Sequence, residues 1–124
     1  MIYLDTHFVV WLYAGKVEKL SARAKDLLNA NEILISPIVR LELQYLLEIN
    51  RINEIPDTIV SDLSNSIGVK ICDKNFNNII NYAIQIDWTR DPFDRIIVAN
   101  AAMQENFLIT KDQTILDHYS KALY

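Results

Sequence analysis

Short apolar runs alternate along the chain with longer stretches whose apolar residues recur every three or four positions, the pattern of a parallel sheet covered by helices. Ile2–Leu4, Ile33–Ile35, residues 69–72 and Phe107–Ile109 read as strands, each of them short. Between the first two, Asp5 or Thr6 caps a helix predicted to reach about Tyr13, and Ser21 caps another carrying Ala24, Leu27 and Leu28, with Gly15 separating them. Ser36 followed by Pro37 is an N-cap with proline at the first helical position, and it opens a helix expected to run to about Asn50. Pro56 opens the next, which carries Ile59, Leu63 and Ile67 and stops at Gly68, and residues 75–86 predict one more. Asp91 followed by Pro92 starts the last long helix, which ends near Asn106 directly before the fourth strand. A short helix from about Gln113 follows it. There is no internal repeat and no linker, so residues 1–124 are expected to form a single domain.

Composition narrows the class. At 124 residues, 51% of them apolar, one core can bury roughly two-thirds of the surface of the unfolded chain without a disulfide or structural metal. The lone Cys72 excludes an intramolecular disulfide and a cysteine-based zinc site, which fits a reducing, cytoplasmic compartment. The opening Met1-Ile2-Tyr3-Leu4-Asp5 carries no basic targeting segment, and no apolar run approaches the ~18 residues of a membrane span, so no membrane association is expected. Two glycines exclude Gly-rich phosphate loops and dinucleotide-binding turns. Twelve Lys and Arg against sixteen Asp and Glu leave a net charge of −4, which speaks against nucleic-acid binding by bulk charge and allows a local basic rim.

The placement of the acids changes the picture. On the helix opened by Ser36-Pro37, the residues Ile38, Leu41, Tyr45, Leu46 and Ile49 are spaced as one buried stripe, and Glu42 falls inside it. An ionised carboxylate there needs a cation or a strong donor, unless it escapes to solvent or pairs with Arg40 or Arg95. Asp5 follows the first strand, Asp112 follows the fourth, and Asp94 is in the first turn of the helix whose stripe continues as Ile97, Val98, Ala101 and Ala102. Each has a structural alternative: Asp5, Asp91 and Asp112 as N-caps, Asp94 as the third residue of a capping box. Taken jointly, Asp5, Glu42, Asp94 and Asp112 belong to segments at the carboxyl edge of the sheet, where such folds bind ligands. Converging carboxylates repel unless protonated or bridged by a divalent cation, and an oxygen-only ligand set suits Mg²⁺ or Mn²⁺ over zinc. Ions held this way activate water against a phosphodiester. Thr6 and Thr110, each beside one of the acids, are placed to orient the water or a ligand, or to bond to backbone.

These residues resemble a PIN-domain ribonuclease, in particular a VapC-type toxin of a toxin–antitoxin pair, over essentially the whole chain. Tyr3-Leu4-Asp5-Thr6-His7 is similar to the family's start. Ser36-Pro37 through Leu41-Glu42-Leu43 resembles its second acidic segment, Arg90-Asp91-Pro92-Phe93-Asp94-Arg95 its third and Ile109-Thr110-Lys111-Asp112 its fourth. The third string is the most specific. The resemblance implies a PIN-like α/β/α sandwich with a central parallel sheet of four or five short strands, and metal-binding, catalytic acids at Asp5, Glu42, Asp94 and Asp112. It also implies an accessory Asp91, a homodimer, a small antitoxin filling the active-site groove, and structured RNA as substrate. Arg90, Arg95 and Lys111 flank the acids as candidate phosphate contacts. Two departures stand out: Trp88-Thr89 where many relatives carry histidine, and a last strand confined to residues 122–124.

Two rivals share the acid-cluster logic, a receiver domain and an aspartyl-phosphate phosphatase. The first needs an acidic pair after the first strand, and the second needs an Asp where His7 stands. A third reading makes the chain a non-catalytic RNA- or protein-binding module whose acids are only caps. His7, His118, Cys72, Trp11 and Trp88 read as structural or surface groups rather than site residues.

Overall fold

β1 (Ile2–Leu4) is apolar at every position because both of its faces are covered, and all three residues are buried. The computed structural model, which describes residues 1–124, sets it at the centre of a five-stranded sheet. The other strands are β2 (Ile33–Ile35), β3 (Lys70–Ile71), β4 (Phe107–Ile109) and β5 (Ala122–Leu123), in the order β3-β2-β1-β4-β5. Every pairing is parallel, with Tyr3 opposite Leu34 on one side and Leu108 on the other. The expected parallel sheet of four or five strands is therefore one of five, and residues 122–123 supply the last. The third strand is shorter than expected, although the Cys72 N–H still donates to the Ile35 carbonyl at 2.8 Å. Chain order reverses between β1 and β4, and this reversal opens a crevice at their carboxyl ends. Backbone bonds from Asp5 to Ile109 (2.9 Å) and from Thr110 to Leu123 (2.8 Å) carry the ladder past the strands and fix the residues beside that crevice.

Seven helices cover the sheet: α1 (Thr6–Tyr13), α2 (Ala22–Ala30), α3 (Pro37–Glu48), α4 (Pro56–Ile67), α5 (Phe76–Ile84), α6 (Pro92–Ala102) and α7 (Gln113–His118). Their starts follow the capping signals, with Asp5, Ser21, Ser36, Asn75, Asp91 and Asp112 accepting N–H bonds at six of them. Gly68 ends α4 at φ 75°, a left-handed conformation that a side chain would strain. A 3-10 turn at Val17–Lys19, which no apolar spacing announced, links α1 to α2. No helix is long and apolar enough to cross a membrane.

The expected stripe on α3 is not the buried one. Val39 and Leu43 are buried, whereas Leu41 (57%), Tyr45 (49%) and Ile49 (41%) face solvent. This helix is apolar on two sides, and spacing alone does not say which side meets the core. At about 100° per residue, Glu42 lies on the flank between the two faces. It thereby reaches the edge of the sheet without being inserted into the core. On α6 the stripe Ile97, Val98, Ala101 and Ala102 is buried as predicted, and Ala99 and Asn100, which it did not include, are buried as well. That helix enters from the loop after α5 and runs toward the start of β4, so its first turn stands at the carboxyl edge although no strand directly precedes it.

Candidate active site

Asp5 leaves β1 and caps α1. One carboxylate oxygen accepts the Thr6 N–H at 2.7 Å, and the other accepts the Thr110 hydroxyl at 2.6 Å from across the crevice. The side chain is buried, which pushes its pKa up, and these two bonds oppose the rise. Thr110 in turn accepts the Asp112 N–H at 3.1 Å, so one hydroxyl ties the ends of β1 and β4 together. Thr6, also buried, donates its hydroxyl to Glu42. Burial raises the Glu42 pKa as well, with Asp5 and Asp91 adding repulsion and Thr6 opposing it. Both threonines thus orient carboxylates. Neither arginine named beside Glu42 meets it, since Arg40 pairs with Asp57.

Asp112 caps α7 through the Ile115 N–H (3.0 Å), and Asp91 caps α6 through the N–H groups of Phe93 (2.8 Å) and Asp94 (3.2 Å). Asp94 is not the third member of a capping box, because the Asp91 N–H goes to the Thr89 hydroxyl at 3.2 Å. Its carboxylate accepts no protein hydrogen bond. Burial first, then the charges of Asp91, Asp5, Asp112 and Glu42, push the Asp94 pKa up to about 7. Repulsion from four other acids places all five in one neighbourhood.

The structure brings Asp5, Glu42, Asp91, Asp94 and Asp112 around a single cleft of about 360 Å³, completed by His7, Trp11 and Lys111. Thr6 and Thr110 stand behind its wall. Of the three candidate phosphate contacts, only Lys111 lines it. Arg95 is rotated to another side of α6, where its guanidinium donates to the Ile86 carbonyl, and Arg90 is exposed outside the cleft. His7 and Trp11 were read from the sequence as structural groups. Their spacing of four residues on the helix that Asp5 caps was the available signal for a shared face. A larger apolar groove of about 520 Å³ lies elsewhere, lined by Leu12, Val17, Leu28 and Ile67 among others. Its only ionisable group is Lys25, so it offers docking area and no chemistry.

The donor set of the cleft fits a hard divalent cation, being carboxylate oxygen apart from His7, and the charge that raises the Asp94 pKa is what a cation would neutralise. As the side chains stand, no three of them are arranged to hold one ion together, and Asp5 and Glu42 are bonded to threonines.

A chain from the structure of VapBC2 of Rickettsia felis, bound to a DNA fragment from its promoter, superposes with a TM-score of 0.66 at 21% identity, covering 100% of this chain and 98% of that one. A chain from a toxin–antitoxin complex of Klebsiella pneumoniae superposes with a TM-score of 0.69 at 19% identity, covering 100% and 97%. At these identities the likeness is one of fold. No curated protein matches the sequence. The family profile of the PIN domain matches residues 2–121, and with the acids of its four segments gathered at one sheet edge, the chain belongs to the PIN-domain family.

Proposed function

We propose that this chain is a Mg²⁺- or Mn²⁺-dependent endoribonuclease, the VapC-type toxin of a toxin–antitoxin pair. The observation that carries the reading is the convergence of five carboxylates from four chain segments on one cleft at the β1–β4 reversal, at the cost of a strongly raised Asp94 pKa. Folds keep such repulsion where a ligand repays it. Asp5, Glu42, Asp94 and Asp112 would hold the cation, which when bound activates water and offsets charge on the leaving oxygen of a phosphodiester. Thr110 and Thr6 fix the Asp5 and Glu42 carboxylates, and Asp91 holds the first turn of α6 so that Asp94 projects at the cleft.

The partner assignments follow from the same reading. The matched solved structures are toxin–antitoxin complexes, which supports a cognate antitoxin that blocks the cleft. The exposed Leu41, Tyr45 and Ile49 of α3 support a homodimer, whereas Trp11, Leu12 and Tyr13 of α1 are already packed on the core. Function in the cytoplasm is consistent with the single reduced cysteine.

The test is cleavage of RNA by the purified protein with Mg²⁺ or Mn²⁺, against excess chelator and against Asp5→Asn. Activity is expected to need the ion and to be lost in the variant, whose fold persists. Cleavage that survives chelation, or an active Asp5→Asn protein, overturns the assignment and leaves Asp5 and Asp112 as helix caps alone.

A further inference from the structure

Beside its acids and His7 the cleft is lined by Trp11 and Lys111, and Lys19 and Tyr124 adjoin these two from outside the lining. Trp11 is held from behind by the fully buried Phe8, with ring centroids 4.9 Å apart and planes at 74°. The Lys111 ammonium lies 5.6 Å from the Trp11 ring centroid and 5.5 Å from that of Tyr124, and Lys19 reaches the same Trp11 ring at 5.0 Å. Four segments deliver these groups: α1, the 3-10 turn, the loop before α7, and the residue after β5. Lys111 shares the cleft with five carboxylates and pairs with none of them, the ion pairs of the structure being Arg40–Asp57 and Lys70–Glu32. The two rings hold its charge beside the acids without surrendering it to them.

On the endoribonuclease reading, we propose that Trp11, Lys111 and Tyr124 form the subsite for the nucleotide next to the scissile phosphate. An unpaired base stacks on the rings, and its phosphate is met by Lys111. A nucleotide presents a flat π-face and an anion in every repeat of its chain, as a ring beside a free ammonium requires. The flexible stem of Lys111 lets the ammonium move from ring to phosphate as the base arrives. Bases within a duplex are stacked on one another and have no free face to offer, so the subsite confines cleavage to single-stranded stretches of a structured RNA. Lys19, whose ammonium reaches the same indole ring, adds a second cation for the strand as it leaves.

The test measures binding of a short single-stranded RNA to the protein carrying Asp94→Asn, so that no cleavage interferes, alongside the same RNA as a duplex and with one base replaced by an abasic site. Tyr124→Ala, at a position 45% exposed, removes a ring without touching the core. Trp11→Leu, checked by its melting curve, removes the other. Each is expected to weaken single-strand binding about tenfold and duplex binding little. The loss from the abasic site is expected not to add to that from Tyr124→Ala. Lys111→Gln should lower the salt slope by about 0.7. In the cleavage-competent protein, Tyr124→Ala should raise KM with kcat nearly unchanged. Additive losses, equal losses on duplex, or an unchanged KM overturn the subsite while leaving the nuclease reading intact. A wild-type protein that cuts no RNA but shows these binding losses removes the nuclease reading and leaves Trp11, Lys111 and Tyr124 as a nucleotide-binding site without a scissile phosphate beside it.

Discussion

Asp94→Asn, in protein stripped of divalent ions, should make the fold more stable above neutral pH. In the native state the Asp94 carboxyl is pushed from 3.8 to about 7, by burial and then by the charges of Asp91, Asp5, Asp112 and Glu42. Taken at full value that rise corresponds to about 4 kcal/mol. The group is only partly buried, and solvent screening reduces the figure to about 1 to 2 kcal/mol. Against this, a negative charge in the first turn of α6 is favoured by the helix N-terminus by about 0.5 kcal/mol, which the substitution forfeits. The net gain near pH 8 is then about 1 kcal/mol, or roughly 3 to 5 °C for a domain of this size.

The pH dependence has a definite sign. A carboxyl whose folded pKa is raised favours the native state by keeping its proton, so its contribution is fully present below 3.8 and is lost as pH rises to about 7. The advantage of Asp94→Asn should therefore widen between those values and stay flat above them. Urea midpoints of both proteins in chelator, across about pH 4 to 8, measure the difference. Added Mn²⁺ should then raise the wild-type melting temperature, by about 1.4 kcal/mol of stability at ten times Kd, and raise the variant's less. A variant that is less stable than wild type in chelator near pH 8, with an unchanged response to Mn²⁺, would refute the reasoning and make Asp94 a purely structural residue.

Two further outcomes follow from single contacts. Arg95→Ala leaves the buried end of the α5–α6 loop without its charged donor and should cost about 1 to 3 kcal/mol in urea unfolding while RNA affinity holds. A drop in affinity with unchanged stability would instead return the guanidinium to the substrate. Tyr45→Asp places a charge in the exposed face of α3 and should leave the fold intact but give a 14.4 kDa monomer by light scattering, whereas a dimer that survives it is assembled through another surface.

Much of the fold was legible because its punctuation is chemical. Ser36-Pro37 and Asp91-Pro92 start helices for reasons any chain obeys, and Gly68 ends one at a positive φ. What was not legible depended on rotation about an axis. Apolar residues occur on both sides of α3, and only packing on the sheet and on its neighbouring helices selects Val39 and Leu43 over Leu41 and Tyr45. Arg95 adjoins Asp94 in the chain, yet about 100° of helical turn carries it away from the cleft to the Ile86 carbonyl. Trp11 and Tyr124 come to the same Lys111 ammonium from α1 and from the residue after the fifth strand, an element too short to have a periodic signature.

The capping role that the sequence offered for Asp5, Asp91 and Asp112 is the one their contacts show. All three do cap helices, and the helices they cap, α1, α6 and α7, all begin at the cleft. Each helix start brings a partial positive charge and unpaired N–H groups to the edge where the carboxylates crowd, so the caps lower the repulsion that the cluster creates. Asp91 and Asp112 each spend a single oxygen on their caps and keep the other free, whereas Asp5 spends both, one on its helix and one on Thr110. Asp94 alone among the aspartates of the cleft accepts no helix-end N–H, and it stands with its pKa pushed to about 7. Capping therefore makes a cluster of five carboxylates foldable before any cation arrives. It leaves in Asp94 one carboxylate of the cleft that no protein donor satisfies.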